Sequence, residues 1–242
     1  MRSAELILER YDSDKIANGY LEQYDPILAP WRDEEIVLLE LGIDRGGSLL
    51  LWRDYFPRGT IVGIDIRLPA AFPPAEWIRM YQGSQGDPEF LSRVARETAP
   101  AGFDIIIDDA SHLGELTKTA FWHLFDHHLR PGGLYVIEDW GTGYWDDWPD
   151  GRSLDLASYS RPARRHGSLA AKVARKLRWK IPLPGHGYGM VGFIKQLVDE
   201  QAAADVTRRN LKGKPARPSK FRSLTITPSL VFVRKAGRSR QD

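Results

Sequence analysis

An α/β fold on a mostly parallel, seven-stranded sheet, with helices on both faces and a C-terminal antiparallel hairpin, is what this 242-residue sequence predicts. Three observations carry that expectation. Short, continuous apolar runs of strand length alternate with longer segments of helical spacing. The first five runs stop at glycine, glutamine or an acid, and the last two flank a Pro-Ser turn too short for anything but antiparallel pairing.

In chain order, residues 1–30 carry apolar positions at mixed helical spacing (Leu6, Ile7, Tyr20, Leu21, Tyr24) and predict short helices. Ile36 to Gly42 reads as a buried strand ending in glycine, and Ser48 to Phe56 as a helix capped by Ser48. Pro57-Arg58-Gly59 closes that helix. A second strand, Thr60 to Ile64, finishes at Asp65, and a third, Ile78 to Tyr81, finishes at Gln82-Gly83-Ser84. A helix from Pro88 to Thr98 leads to strand Phe103 to Ile107, which stops at Asp108-Asp109. A helix from Leu116 to Leu129 leads through Arg130-Pro131-Gly132-Gly133 to strand Leu134 to Ile137, which stops at Glu138-Asp139. Gly192 to Ala204 reads as helical, and Ser223 to Arg234 as two strands about Pro228-Ser229. The organisation expected is one domain: N-terminal helices at 1–30, a core at 35–150, a variable segment at 151–190 and a terminal helix and hairpin at 191–236.

Composition narrows the chemistry. With no cysteine, disulfides, thiolate catalysis and Cys-ligated metals are excluded, so any ion must sit on oxygen or imidazole. No apolar stretch approaches the roughly 18 residues of a membrane span, and the charged start MRSAELILERYDSDK lacks the apolar core of a leader, so a cytoplasmic protein is expected. The formal net charge is only +2, yet Arg152 to Lys180 holds a single acid, Asp155, among many cations.

In open α/β sheets ligands bind beyond the carboxyl ends of the strands. After the first strand, Glu40-Leu-Gly-Ile-Asp-Arg-Gly-Gly-Ser48 combines glycines that permit close backbone approach with the free N–H groups of a helix start. Glu40, Gly42 and Ser48 are its candidate binding residues. The spacing departs from the dinucleotide pattern Gly-x-Gly-x-x-Gly. Asp65 stands where an acid accepts the ribose hydroxyls of an adenosyl group, in NAD and S-adenosylmethionine sites alike; a turn aspartate is the plainer reading. Gln82, Gly83, Ser84 and Asp108 complete the candidate cofactor set.

Asp109, Glu138 and Asp139 follow strands that this topology places side by side. Three acids so close repel unless a cation lies between them, and an all-oxygen set suits a hard ion such as Mg²⁺. Acids that merely cap their elements are the alternative. His112, three residues past Asp109 and at the expected start of the next helix, is the candidate general base for a hydroxyl activated by that ion. His123, His127, His128 and His166 are assigned to structure.

The stretch from Val37 to Gly59, followed by IIIDDASH and RPGGLYVIEDWGTGYW, resembles the metal-dependent sugar O-methyltransferases of macrolide biosynthesis. Ser13-Asp14-Lys15 with Tyr20 and Tyr24 belongs to the same likeness, which spans residues 11 to 145 and continues more weakly at Gly192 to Asp199 and in the final hairpin. It implies a Rossmann-like class I methyltransferase fold and S-adenosyl-L-methionine held by Gly42, Ser48, Asp65 and the Gln82 to Ser84 turn. It further implies Mg²⁺ on Asp109, Glu138 and Asp139, with His112 as base. Ala110 in place of a frequent glycine, Gln85-Gly86 and the segment from Gly151 to Gly189 depart from the family's pattern. HGYGMVGF and ITPSLVF are similar to a branch that methylates the 1-hydroxyl of methylmannose oligosaccharide precursors.

A small-molecule or oligosaccharide acceptor fits the aromatics near the expected site. Tyr20, Tyr24, Trp140, Tyr144 and Trp145 are the candidate substrate residues, and Trp148 lies close by. A hydrophobic lid would explain the same aromatics. The basic run reads as a lid rather than a nucleic-acid surface, because the motif after the fourth strand is not the Pro-Pro-aromatic pocket of a base methyltransferase. Self-association is left open. A hydroxylase-like relative would want two histidines and a carboxylate, a non-catalytic adenosyl-binding partner has no need of an acid triad, and an NAD dehydrogenase would want the missing glycine pattern.

Overall fold

A computed structural model describes residues 2–73, 75–152, 185–208, 210 and 212–237. Most of the expected lid, with Arg161 to Arg165, His166 and Lys172 to Lys180, lies outside the described residues. Two short helices, α1 (Asp14–Ala17) and α2 (Tyr20–Leu28), precede β1 (Val37–Leu41), α3 (Gly47–Tyr55), β2 (Thr60–Asp65) and β3 (Ile78–Gln82). Then follow α4 (Pro88–Thr98), β4 (Phe103–Asp108), α5 (Gly114–His127), β5 (Leu129–Glu138), α6 (Gly189–Gln201), α7 (Ala203–Val206) and the hairpin β6 (Phe221–Ile226) and β7 (Leu230–Lys235).

The seven strands form one sheet in the order β3-β2-β1-β4-β5-β7-β6. The first five are parallel, and β7 enters antiparallel to β5, pairing Glu138 with Leu230. Side chains alternate between two cores, as the period of two in a strand requires. Leu38, Ile105, Ile107, Leu134 and Val136 face α2 and α3 with Tyr24, Trp52 and Tyr55, whereas Leu39, Ile106, Tyr135 and Ile137 face α4, α5 and α6 with Leu91, Phe121 and Phe193. Both faces are covered, so these strands read as unbroken apolar runs.

Chain direction away from β1 reverses between β2 and β4, and there the strand ends open into a crevice. The Asp109 N–H donates to Leu41 O at 2.9 Å, and Gly42 N–H to Ile64 O at 2.8 Å. Gly42 has φ +92°, and a Cβ there would run into the Asp109 carbonyl, so glycine is required by conformation and by space together.

Three local expectations are corrected. Ser48 does not cap α3; the helix starts at Gly47 after Gly46 in the left-handed region, and the Ser48 hydroxyl donates to Glu40 instead. α5 starts at Gly114, so His112 precedes it with φ 51° rather than opening it. β5 begins at Leu129, which pairs with Phe103 before a register shift, so the Pro-Gly-Gly stretch lies within the strand and not between elements.

Asp150 ties two helices to the crevice: its Oδ2 accepts from Gly114 N at 2.8 Å and Met190 N at 2.7 Å, at the first residues of α5 and α6. One carboxylate thus satisfies otherwise unpaired donors of two helix starts. Asp150→Ala is expected to lower unfolding stability by about 2 kcal/mol, about one unit for each helix start left uncapped, checked by urea denaturation; a loss under half that would mean water replaces the carboxylate.

Candidate active site

The crevice at the ends of β1, β2 and β4 has a volume of about 730 Å³. Of the sequence-predicted residues, Gly42, Ser48, Asp65, Asp109 and His112 line it. Asp65 is braced by the backbone: its Oδ2 accepts from Ile43 N at 2.7 Å and its Oδ1 from Arg67 N at 2.9 Å. Asp44 N also donates to Oδ2, at 3.3 Å, so the acceptor capacity left for a ligand is on Oδ1. Ile66, 73% exposed, and Leu68 add an apolar surface beside it that the sequence reading had not picked out.

Other expected cofactor residues stand behind the wall, not in it. Glu40 is buried, accepting from Ser48 Oγ at 2.8 Å and Trp52 Nε1 at 3.3 Å. Asp108 is buried against Gln85 and the Tyr135 hydroxyl, and burial, only partly opposed by Tyr135 and Gln85, pushes its carboxyl up to about 7. Gln85 also accepts from Ser111 N at 2.9 Å, which makes it a brace between the third and fourth strand ends. Gln82 and Gly83 bond back to Ile66 O and Asp65 O, and the Ser84 hydroxyl accepts from Gly86 N. These contacts shape the strand-end turns because the chain there must fold back on itself.

Beside the crevice wall formed by Asp109 and His112, oxygens of Asp109 and Asp139 and an imidazole nitrogen of His112 all lie within 4.8 Å of one another, the one such group of three among the described residues. His112 Nε2 is 3.7 Å from Asp109 Oδ1. His112 and Asp139 both adopt the left-handed region, φ 51° and 52°, a strained choice for residues with a Cβ. Trp148 Nε1 donates to the His112 carbonyl at 3.2 Å and Thr142 Oγ1 to the Asp139 carbonyl at 2.9 Å, holding the two backbones in place.

Glu138 sits deeper, 1% exposed. Its oxygens accept from the Tyr24 hydroxyl at 2.5 Å and from Lys15 Nζ at 2.9 Å, and Lys15 also reaches Asp109 Oδ2 at 2.5 Å and Glu40 Oε1 at 3.3 Å. Lys15 is the residue that sequence reasoning missed, though Ser13-Asp14-Lys15 was part of the resemblance. Burial works to lower its pKa, but Glu138, Asp109 and Glu40 together hold it well above the usual lysine value. Burial raises Glu138 and Asp139, opposed chiefly by Lys15 for the first and by the Tyr20 hydrogen bond for the second.

The aromatic expectations divide. Tyr24 is fully buried, and Tyr20 gives its hydroxyl to Asp139, so both support the acids rather than offering an acceptor surface. Trp140 is anchored through Nε1 to Thr227 O at 2.9 Å, Tyr144 packs beside His186, and Trp145 is 53% exposed.

No family model matches the chain. Mycinamicin VI 2''-O-methyltransferase of Micromonospora griseorubida is 44% identical over 206 residues, 77% of this chain and 51% of that enzyme. The chain is a homologue of sugar O-methyltransferases. A second such enzyme, 8-demethyl-8-alpha-L-rhamnosyl tetracenomycin-C 2'-O-methyltransferase of Streptomyces olivaceus, is 32% identical over 240 residues, 95% of this chain and 54% of that one. The solved methyltransferase MycE of the mycinamycin biosynthetic pathway, in complex with Mg and SAH, superposes with a TM-score of 0.64 at 30% identity, covering 90% of this chain and 49% of MycE. The homologue therefore has the Rossmann-like methyltransferase fold, and it spans about half the length, or less, of the curated relatives it matches. No helix among its described residues is long and apolar enough to cross a membrane.

Proposed function

We propose that this chain is an S-adenosylmethionine-dependent O-methyltransferase acting on a sugar hydroxyl of a glycosylated small molecule or oligosaccharide. The observation that supports it most is the meeting of Asp109, His112 and Asp139 at the wall of a crevice, lined by the first two, whose glycine turn and Asp65 suit an adenosyl group. The oxygens of these acids, in a chain without thiols, fit Mg²⁺, and the imidazole beside them is left free to take a proton. Asp109 and Asp139 would hold the ion from the open side, and Glu138 would add the acceptor capacity that Tyr24 and Lys15 leave it. When bound, the ion supplies Lewis acidity that makes an acceptor hydroxyl easier to deprotonate.

His112, its backbone held by Trp148, takes the hydroxyl proton. Asp65 accepts from the ribose, Ile66 and Leu68 offer a face to the adenine, and Glu40 and Ser48 brace the turn. The chain works as one methyltransferase unit in the cytoplasm. A methylmannose oligosaccharide 1-hydroxyl is the acceptor favoured by HGYGMVGF and ITPSLVF. Both stretches adjoin the site: His186 Nε2 lies 2.7 Å from Gly143 O, and Trp140 bonds to Thr227. A glycosylated macrolide is the second reading, favoured by the mycinamicin relative.

The test is calorimetric titration with S-adenosylhomocysteine, with and without Mg²⁺, then a methyl-transfer screen over mannose oligosaccharides and glycosylated macrolides. Binding in both conditions with transfer only in Mg²⁺ is expected. Full activity in EDTA would remove the ion from the reading, and no binding in either condition would remove the reaction class.

A further inference from the structure

Lys15 is 1% exposed, yet no step of the proposed reaction uses it. Its ammonium carries three donors and meets three carboxylates, at 2.5 Å on Asp109, 2.9 Å on Glu138 and 3.3 Å on Glu40. It arrives on α1, a helix of four residues, and with the adjoining Asp12, Ser13 and Asp14 it forms part of the crevice wall. The ammonium stands between Asp109 and Glu138, acids that end neighbouring parallel strands. On the other side of Asp109, its Oδ1 faces His112. One set of acids therefore serves a fixed cation from within and has room for an exchangeable one from the crevice.

We infer that Lys15 is a built-in competitor of the divalent ion: it neutralises the Asp109 and Glu138 pair when the ion is absent and limits how tightly the ion binds when present. This rests on the metal reading above. A fixed positive charge a few Å from a divalent ion repels it strongly where water is excluded. Without Lys15 the buried Glu138 and Glu40 and the half-buried Asp109 would have no counter-charge, which is strongly destabilising. The residue thus trades ion affinity for a fold that holds together empty.

The test uses the full chain with MgCl₂ or MnCl₂ alone, read by calorimetry and thermal unfolding, in the wild type, Lys15→Met, Lys15→Arg and Tyr24→Phe. Lys15→Met is expected to melt below wild type in EDTA, to bind Mg²⁺ about tenfold more tightly or better, and to regain its melting temperature as Mg²⁺ is added. Lys15→Arg keeps the charge and should keep wild-type affinity. Tyr24→Phe removes a hydrogen bond from Glu138 without changing charge; it should cost stability while moving ion affinity only about threefold or less. Lys15→Met binding no more tightly than wild type, or gaining no more melting temperature from Mg²⁺ than wild type does, overturns the inference. Should Lys15→Met not fold in EDTA, its refolding yield against MgCl₂ decides: a rising yield supports competition and a flat one refutes it. If neither wild type nor Lys15→Met binds either ion, the metal reading itself fails and the inference falls with it. Binding by wild type with no gain in Lys15→Met rejects the role of Lys15 alone.

Discussion

Asp109→Ala is expected to reduce methyl transfer by about a thousandfold, since Lewis-acid stabilisation of about 4 kcal/mol is lost and each 1.36 kcal/mol is a factor of ten. Affinity for S-adenosylhomocysteine should stay within a few-fold of wild type. The reason for the split is structural. The part of Asp109 that closes the cofactor side is its backbone, whose N–H bonds Leu41 and whose carbonyl abuts Gly42, and alanine preserves both. Lys15 would still face Glu138 and Glu40, so its charge stays matched. Turnover with S-adenosylmethionine and calorimetry with the product analogue separate the two effects. A parallel fall in cofactor affinity would move Asp109 from the ion to the cofactor.

Removing His112 is expected to cost about 10²- to 10⁴-fold in turnover, the range for a lost general base, with Mg²⁺ affinity retained. Asparagine is the better replacement because it tolerates the left-handed backbone at φ 51° and so separates loss of the imidazole from relief of strain. His112→Asn and His112→Ala should therefore lose activity alike while asparagine holds more of the stability. Loss of Mg²⁺ affinity in both would make His112 a ligand, a role its position beside Asp109 and Asp139 also permits. An unchanged rate would return it to structure.

The sheet was legible because its signal is local. Runs such as Phe103 to Ile107 declare themselves through apolar continuity, and Pro57-Arg58-Gly59 and Pro228-Ser229 mark the turns within a few residues. The acids at strand ends were legible for the same reason, since topology alone brings the ends of β4 and β5 together. What escaped was what depends on side-chain direction across the fold. Nothing near Lys15 in sequence states that it will meet Asp109 and Glu138, and nothing near Tyr24 states that it will be buried on Glu138 instead of facing an acceptor. Ser48 shows the local version of the limit. It has the residue type of a helix cap, but a buried carboxylate eight residues away competes for the same hydroxyl and wins.

The N-terminal helices also bear on how the protein comes into being. Lys15 meets Asp109 and Glu138 across 94 and 123 residues of chain, Tyr24 meets Glu138 across 114 and Tyr20 meets Asp139 across 119. Contacts so distant in sequence carry the loop-closure entropy of long segments and are made late in folding. On the ribosome these three side chains emerge while the carboxylates they will hold have not yet been translated. The acid cluster can be completed only after β4 and β5 have paired, so α1 and α2 are among the last elements to find their place, and the capacity to do chemistry arrives after the sheet that frames it.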